Sequence, residues 1–162
     1  TWKDKKLSDE IKINAIELSK DKKIEIEKYK EQNNKISNIG QKIKIKDFLS
    51  NITISSNLEV TIQTQGKNQE YIGTNTKITI KEKQYGFILE EYECLIYGDI
   101  NGDGKISAMD YTLIKNHIMD VKKITDKNMN LTADVNGDNK ISAMDYTLIK
   151  NDIMDVKKIQ IK

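Results

Sequence analysis

The chain has 162 residues, 37% hydrophobic and 32% charged, which is ordinary for a water-soluble fold and leaves room for one or two domains. All 27 basic residues are lysine, and the net charge of +2 is too small to indicate nucleic-acid binding. No apolar run approaches the ~20 residues that span a bilayer, so we expect no membrane insertion. The single cysteine, Cys94, excludes an internal disulfide, and its apolar neighbours predict an unreactive thiol buried in a strand.

Residues 1–23 carry the weakest pattern in the chain. Apolar residues between Leu7 and Leu18 suit either an amphipathic helix or the last strand of a preceding domain. We therefore interpret residues 1–23 as a linker or as the remnant of such a domain. The chain begins at Thr1 and shows no signal peptide, which leads us to expect a segment of a larger protein.

Residues 24–97 predict a β-rich module. Alternation of apolar and polar residues is clearest over 58–64 and 77–81, which we predict to be strands separated by Gly- and Asn-containing turns. Residues 87–97 predict a long final strand that runs directly into the next motif. Because almost no linker remains at this point, we expect the two parts of the chain to touch.

A duplication follows: residues 98–124 and 133–159 differ at only four of 27 positions. Each copy begins with an oxygen-rich loop and continues into a helix-like segment. The predicted metal ligands, at positions 1, 3, 5, 7, 9 and 12 of the loops, are Asp99, Asn101, Asp103, Lys105, Ser107 and Asp110 in the first copy and Asp134, Asn136, Asp138, Lys140, Ser142 and Asp145 in the second. The two loops predict one calcium ion each.

This spacing suits calcium because a hard cation takes six to eight oxygen ligands, which a chain supplies by winding tightly around the ion. The sharp turn falls at position 6, where glycine (Gly104) or asparagine (Asn139) tolerates a positive φ. The lysines at position 7 would coordinate through their carbonyl oxygens, and the serines at position 9 through water. Acidic surface turns are the alternative, but two copies with matching ligands favour metal binding.

Helical spacing predicts an apolar core beside the loops. The expected core residues are Ile106, Leu113, Ile114 and Ile118 and their repeats Ile141, Leu148, Ile149 and Ile153. A module of about 65 residues buries little apolar surface, so calcium should supply part of its folding free energy. Chelation is therefore expected to loosen or unfold this half of the chain.

The paired loops, with aspartate at position 12 and an offset of 35 residues, resemble those of the dockerin family. The resemblance implies a small all-α module over 98–162, with paired EF-hand-like motifs, that binds a cohesin domain of a scaffold or of another enzyme. It also implies partner contacts at positions 10, 11, 17 and 18 of each copy. These are Ala108, Met109, Lys115 and Asn116 in the first copy and Ala143, Met144, Lys150 and Asn151 in the second.

The near-identity of the copies implies that a half turn presents almost the same surface, so that one cohesin engages either helix. Met109 and Met144 admit two interpretations: adaptable contacts for an apolar socket on the partner, or core residues. The main difference between the copies, His117 against Asp152, is expected to face solvent.

Residues 24–97 also resemble the small X-type modules that precede dockerins in surface proteins of Gram-positive bacteria. The matching features are a strand, an Asn33-Asn34 turn and a strand over 29–39, a short helix over 46–52, and residues 72–78 before the final strand. The resemblance implies an immunoglobulin-like, β-sandwich-like helper that spaces or stiffens the dockerin. A carbohydrate-binding module is the rival interpretation, although Trp2, Tyr71 and Tyr85 form no recognisable platform.

The sequence predicts no catalytic site. One histidine and one cysteine leave no metalloprotease helix or Cys-His pair, and the paired carboxylates are assigned to calcium. The predicted function is an extracellular, non-catalytic docking segment of a larger hydrolytic enzyme, monomeric when free and without nucleic acid as a partner. The alternative is a calcium-stabilised spacer with a carbohydrate-binding upstream module.

Overall fold

The computed structural model describes residues 24–65 and 70–160, so the predicted linker at 1–23 lies outside the described residues. The first half consists of short strands and one short helix. In chain order they are β1 (Ile24–Ile26), β2 (Lys30–Gln32), β3 (Lys35–Ser37), α1 (Ile45–Leu49), β4 (Ile52–Ile54), β5 (Leu58–Gln63), β6 (Lys77–Glu82) and β7 (Ile88–Cys94). The strand-rich composition and the single short helix predicted for this region are confirmed within the described residues.

Five of these strands form a mixed sheet in the order β2-β3-β7-β6-β5, in which only the β3–β7 pair is parallel. Strands β1 and β4 pair separately as a two-stranded antiparallel sheet. Phe48, Ile36 and Ile78 are fully buried in the core of this half, and the Tyr29 ring stacks on Phe48 with centroids 4.7 Å apart. The immunoglobulin-like assignment stays a prediction.

The predicted hairpin over 29–39 is present as β2 and β3. Its turn residues Asn33 and Asn34 both have positive φ, 52° and 59°, as expected for a two-residue turn that matches the twist of the strands. The final strand is shorter than predicted because it ends at Cys94. Leu95 and Ile96 follow the strand and are buried. The Ile96 amide donates to the Thr74 hydroxyl at 3.3 Å instead of to a neighbouring strand.

The second half contains three helices: α2 (Ala108–Ile118), α3 (Lys127–Ala133) and α4 (Ala143–Ile153). Helices α2 and α4 are the equivalent helices of the two copies, and they contact each other. Their tyrosines, Tyr111 and Tyr146, stack with ring centroids 4.2 Å apart and share a hydrogen bond between their hydroxyls. The helical character predicted for this half is confirmed.

The predicted core of this half is only partly correct. Ile114 and Ile149 are fully buried with Ile100, and the predicted residues in and near the loops pack around them. Ile118 and Ile153 were expected in the core, but each is 37% exposed. They are the last residues of α2 and α4, where the chain is about to turn away from the contact between the helices.

The two halves touch, as the short connection predicted. We call this contact the module junction, and three hydrogen bonds across it define it. Lys42 N–H donates to the Gly104 carbonyl (2.7 Å), Gln41 Nε2 to Asp152 Oδ1 (2.9 Å) and Asn128 Nδ2 to Glu93 Oε2 (2.7 Å). No helix among the described residues is long and apolar enough to cross a membrane.

Candidate metal centres and docking face

The first loop winds around the side chain at its position 1. Asp99 Oδ1 accepts hydrogen bonds from the Gly102 and Asp103 amides, at 2.8 and 3.1 Å. Asp99 Oδ2 accepts one from the Gly104 amide at 3.0 Å. Consecutive amides aimed at one carboxylate produce the tight winding that the ligand spacing predicted.

The end of the loop is also the beginning of helix α2. Ser107 is the N-cap residue, and its hydroxyl accepts from the Met109 amide at 3.2 Å. Asp110 completes a capping box, since its Oδ2 accepts from the Ser107 amide at 2.9 Å. Both residues are predicted metal ligands, and their Ser-x-x-Asp spacing is in addition a capping signal that the sequence contains.

Asp110 also reaches back to the start of the loop. Its Oδ1 accepts from the Ile100 amide at 2.8 Å and from the Asn101 amide at 3.0 Å. The structure therefore brings positions 1, 3 and 12, which are spread over 12 residues of sequence, into one compact turn and helix start.

The electrostatics of the first loop favour a cation. Burial and the neighbouring carboxylates Asp110 and Asp103 raise the pKa of Asp99, and hydrogen bonds from Thr74 and Gly104 lower it, so that the pKa lies at about 7. Burial likewise raises the pKa of Asp110. A divalent cation among these oxygens would offset both the burial and the mutual repulsion of the carboxylates.

The donor set fits calcium rather than a transition metal. Within 24–65 and 70–160, no three His, Cys, Asp or Glu side chains alone are arranged to hold an ion. The predicted set instead mixes aspartates with Asn101, the Ser107 hydroxyl and the Lys105 carbonyl, and calcium favours such all-oxygen shells. These residues would hold the ion, which would supply structural cross-linking of loop and helix.

The second loop repeats this internal geometry. Asp134 Oδ1 accepts from the Gly137 amide at 2.7 Å and from the Asp138 amide at 3.1 Å, and Asp134 Oδ2 accepts from the Asn139 amide at 2.8 Å. Ser142 and Asp145 form the same capping box at the start of α4. The two predicted ligand sets are therefore arranged alike.

The loops differ in their surroundings. Asp99 is fully buried, and its Oδ2 accepts a further hydrogen bond, at 2.9 Å, from the amide of Thr74 in the β-rich half. In the second loop, residues 137–140 are exposed. Sequence reasoning missed Thr74 as a partner of the first loop, because a backbone donor from another part of the chain leaves no local signal.

Glycine makes this close approach possible. A Cβ on Gly73 would overlap the Gly102 carbonyl oxygen, and one on Gly104 would lie 2.5 Å from the Ile72 carbonyl oxygen. Gly104 also has a positive φ of 78°, as the predicted sharp turn requires. Asn139 adopts nearly the same φ, 66°, at the equivalent position, where its side chain is exposed.

The predicted cohesin contacts lie on the outer surface of α2 and α4. Met109 is 59% exposed and Met144 is 61% exposed, so the alternative that places them in the core is wrong. Ala108, Lys115, Ala143 and Lys150 are exposed too, while Asn116 and Asn151 are half-buried. The structure thus brings each predicted set together on one helix.

The expectation that His117 and Asp152 both face solvent is wrong. Asp152 is only 2% exposed, because its carboxylate accepts from Gln41 Nε2 across the module junction and from the Ile159 amide at 2.7 Å. His117 is half-buried, and its Nδ1 accepts from the Ile124 amide at 3.0 Å. Burial lowers the pKa of His117.

Residues 97–154 match the family model described as the dockerin type I domain. No curated protein matches the chain, and no solved structure matches it.

Proposed function

Because residues 97–154 form a type I dockerin domain, we propose that this chain is a non-catalytic docking module that attaches a larger extracellular enzyme or surface protein to a cohesin domain. Dockerin domains in general dock to cohesins in a calcium-dependent manner. The observation that carries the proposal is the pair of equivalent loops and helices, each with an exposed outer face.

Calcium dependence follows from the two loops. In each, carboxylate oxygens at positions 1 and 12 hold backbone amides of the loop and of the helix start, so a bound ion would fix both at once. We propose one calcium ion in each loop, held by the two sets of ligands predicted from the sequence. Loss of the ions would then disorder helices α2 and α4, which carry the predicted cohesin contacts and so form the docking face.

The docking face combines an adaptable apolar residue with polar neighbours in each copy. Exposed methionine suits a partner surface of irregular apolar shape, because the side chain is flexible and polarisable. The equivalent faces centred on Met109 and Met144 have matching residues and matching exposure. We propose that a cohesin engages either face, related by a half turn of the domain.

We assign the β-rich half a helper role, as an X-type, immunoglobulin-like module without catalytic activity. Its support is the module junction, which ties this half to the first loop and to α4. A carbohydrate-binding role is the rival. Tyr71 lies at the junction, with Lys105 Nζ 5.0 Å from its ring centroid, whereas the exposed Tyr85 neighbours Phe87 at 6.0 Å.

The test is capture of partners from the surface and secreted fractions of the source organism, with this chain as bait in millimolar calcium and again in EGTA. Retention of a cohesin-bearing protein only in calcium supports the proposal. If the chain binds two calcium ions but retains no such protein, the calcium-stabilised spacer is favoured. Binding to polysaccharide beads would then decide whether the β-rich half recognises a carbohydrate.

Alanine variants test the two orientations with the captured cohesin. Met109→Ala and Met144→Ala should each leave binding nearly unchanged, whereas the double variant should weaken it strongly, because either face suffices alone. The matched controls are Met119→Ala and Met154→Ala, since these methionines are equally exposed, at 61% and 60%, but lie outside the predicted contact positions. Strong loss with one single variant would exclude binding in two orientations.

A further inference from the structure

We propose that the β-rich half completes the first calcium site from outside the loop, so that two loops with nearly the same sequence bind calcium with different affinities. This inference rests on the calcium binding proposed above. It concerns residues that belong to neither loop, chiefly Gly73 and Thr74.

A hydrogen bond from the β-rich half reaches the predicted ligand Asp99 itself. The Thr74 amide donates to Asp99 Oδ2 at 2.9 Å, and both residues are fully buried. Partners of this kind hold a metal ligand in position and tune its affinity, and their removal typically weakens binding 10- to 100-fold. At the equivalent ligand, Asp134 Oδ2 accepts a hydrogen bond from the Asn139 amide, which belongs to its own loop.

Hydrogen bonds within the protein hold the donor in place. The Thr74 hydroxyl donates to the Ile96 carbonyl at 3.2 Å and accepts from the Ile96 amide at 3.3 Å. The Gly73 amide donates to the Thr76 hydroxyl at 3.0 Å, which closes the turn that leads into β6. A donor fixed in this way is not reorganised when calcium binds, which favours affinity.

The β-rich half also confines the backbone of the first loop. The Gly104 carbonyl accepts from the Lys42 amide at 2.7 Å. Gly73 packs so closely against the first loop that a Cβ on it would overlap the Gly102 carbonyl oxygen. The first loop therefore cannot open without separating the two halves of the protein. Residues 137–140 of the second loop are exposed and meet no such barrier in the described structure.

The differences between the two copies match their different surroundings. Only four positions differ, and two of these lie at the module junction: Gly104 against Asn139, and His117 against Asp152. An asparagine at position 104 would place its Cβ against the Ile72 carbonyl, and a histidine at position 152 could not accept hydrogen bonds on two carboxylate oxygens. The β-rich half thus fits the two copies in one orientation, with the first loop and Asp152 against it, and would not fit them with the copies exchanged.

The experiment is a calcium titration of the full chain, followed by NMR at the amides of Gly104 and Asn139, which report the two loops separately. The first site should saturate at about tenfold or more lower calcium than the second. Gly73→Ala, which forces a Cβ against the Gly102 carbonyl, should weaken the first site about tenfold and leave the second unchanged. Gly86→Ala is the control for general strain in the β-rich half: its φ of 72° disfavours alanine, but a Cβ there meets no atom within 4 Å, so both sites should keep their affinities.

Gln41→Ala is the second variant and decides the result if Gly73→Ala does not fold. The substitution removes the hydrogen bond to Asp152, and it removes Gln41 Oε1, which accepts from the Ile106 amide at 3.3 Å. Because alanine is smaller than glutamine, it adds no atom that could overlap a neighbour. A weakening confined to the first site supports the inference. The inference is overturned if the two sites have equal calcium affinities, or if folded variants leave the affinity of the first site unchanged. If neither amide responds to calcium, the calcium binding of the proposed function is refuted instead.

Discussion

The two loops carry the same predicted ligand types and nearly the same internal hydrogen bonds, yet one is enclosed and the other is open. In the first, Asp99 lies beneath the β-rich half, whereas residues 137–140 of the second face solvent. The loop sequence therefore determines how each loop winds, and a distant segment determines how much of it is exposed. Near-identity of sequence between the repeats does not make the surroundings of the two candidate metal sites equivalent.

The largest expected effect is that of removing calcium from both loops. At free calcium ~100-fold above the dissociation constant, each site contributes about 2.7 kcal/mol, and two contribute about 5 kcal/mol. We expect EGTA to abolish most of the helical circular dichroism signal from the second half. Hydrogen exchange should show that α4, which follows the open loop, loses protection before α2. An unchanged spectrum in EGTA would contradict this prediction.

A ligand substitution compares the loops directly. Asp99→Ala should destabilise the protein more than Asp134→Ala, by about 1–3 kcal/mol, because it also leaves the buried Thr74 amide without an acceptor. Urea unfolding of both variants in excess calcium measures the difference. Equal losses would show that the bond to Thr74 contributes no stability.

The hydrogen bond between Gln41 and Asp152 at the module junction is expected to have a smaller effect on stability. Asp152→Ala removes acceptors from Gln41 and from the Ile159 amide, whereas His117→Ala removes an acceptor only from the Ile124 amide. We expect Asp152→Ala to be the more destabilising by about 1 kcal/mol. Thermal unfolding of the pair gives the comparison, and a greater loss with His117→Ala would show that the junction at Gln41 is unimportant for stability.

The smallest expected effect is a dependence of the junction on pH. Hydrogen bonds from Lys35 and Asn128, together with the charge of Lys35, hold the pKa of Glu93 below its usual value. A carboxyl whose pKa is lowered in the folded state stabilises the protein above its unfolded pKa, and this contribution is lost as the pH falls through the folded pKa. Stability should therefore fall from about pH 4.5 downward, and Glu93→Gln should reduce that slope.

The parts of the fold that depend on local sequence could be predicted. The hairpin at Asn33-Asn34, the two strands over 58–63 and 77–82, and the buried Cys94 follow from turn residues and alternation, and the structure contains all of them. The start of each long helix follows from the Ser-x-x-Asp spacing, whose residues are also predicted ligands.

The parts that depend on distant contacts could not be predicted. The bond between Thr74 and Asp99 joins a backbone amide to a side chain 25 residues away, and no periodicity marks it. The parallel pairing of β3 with β7 likewise joins segments that are distant in the sequence. Asp152 was expected at the surface because its helix position is polar, but Gln41 covers it.

The direct passage from β7 into the first loop has a mechanical consequence. Residues 95–98, the only chain between Cys94 and Asp99, span at most about 14 Å when extended, so the connection has little slack. When a partner holds the helices and tension pulls on the β-rich half, the load passes at once into the first loop and into the junction bonds beside it. Those bonds act in parallel, and the protein transmits force as a stiff connector rather than as a tether.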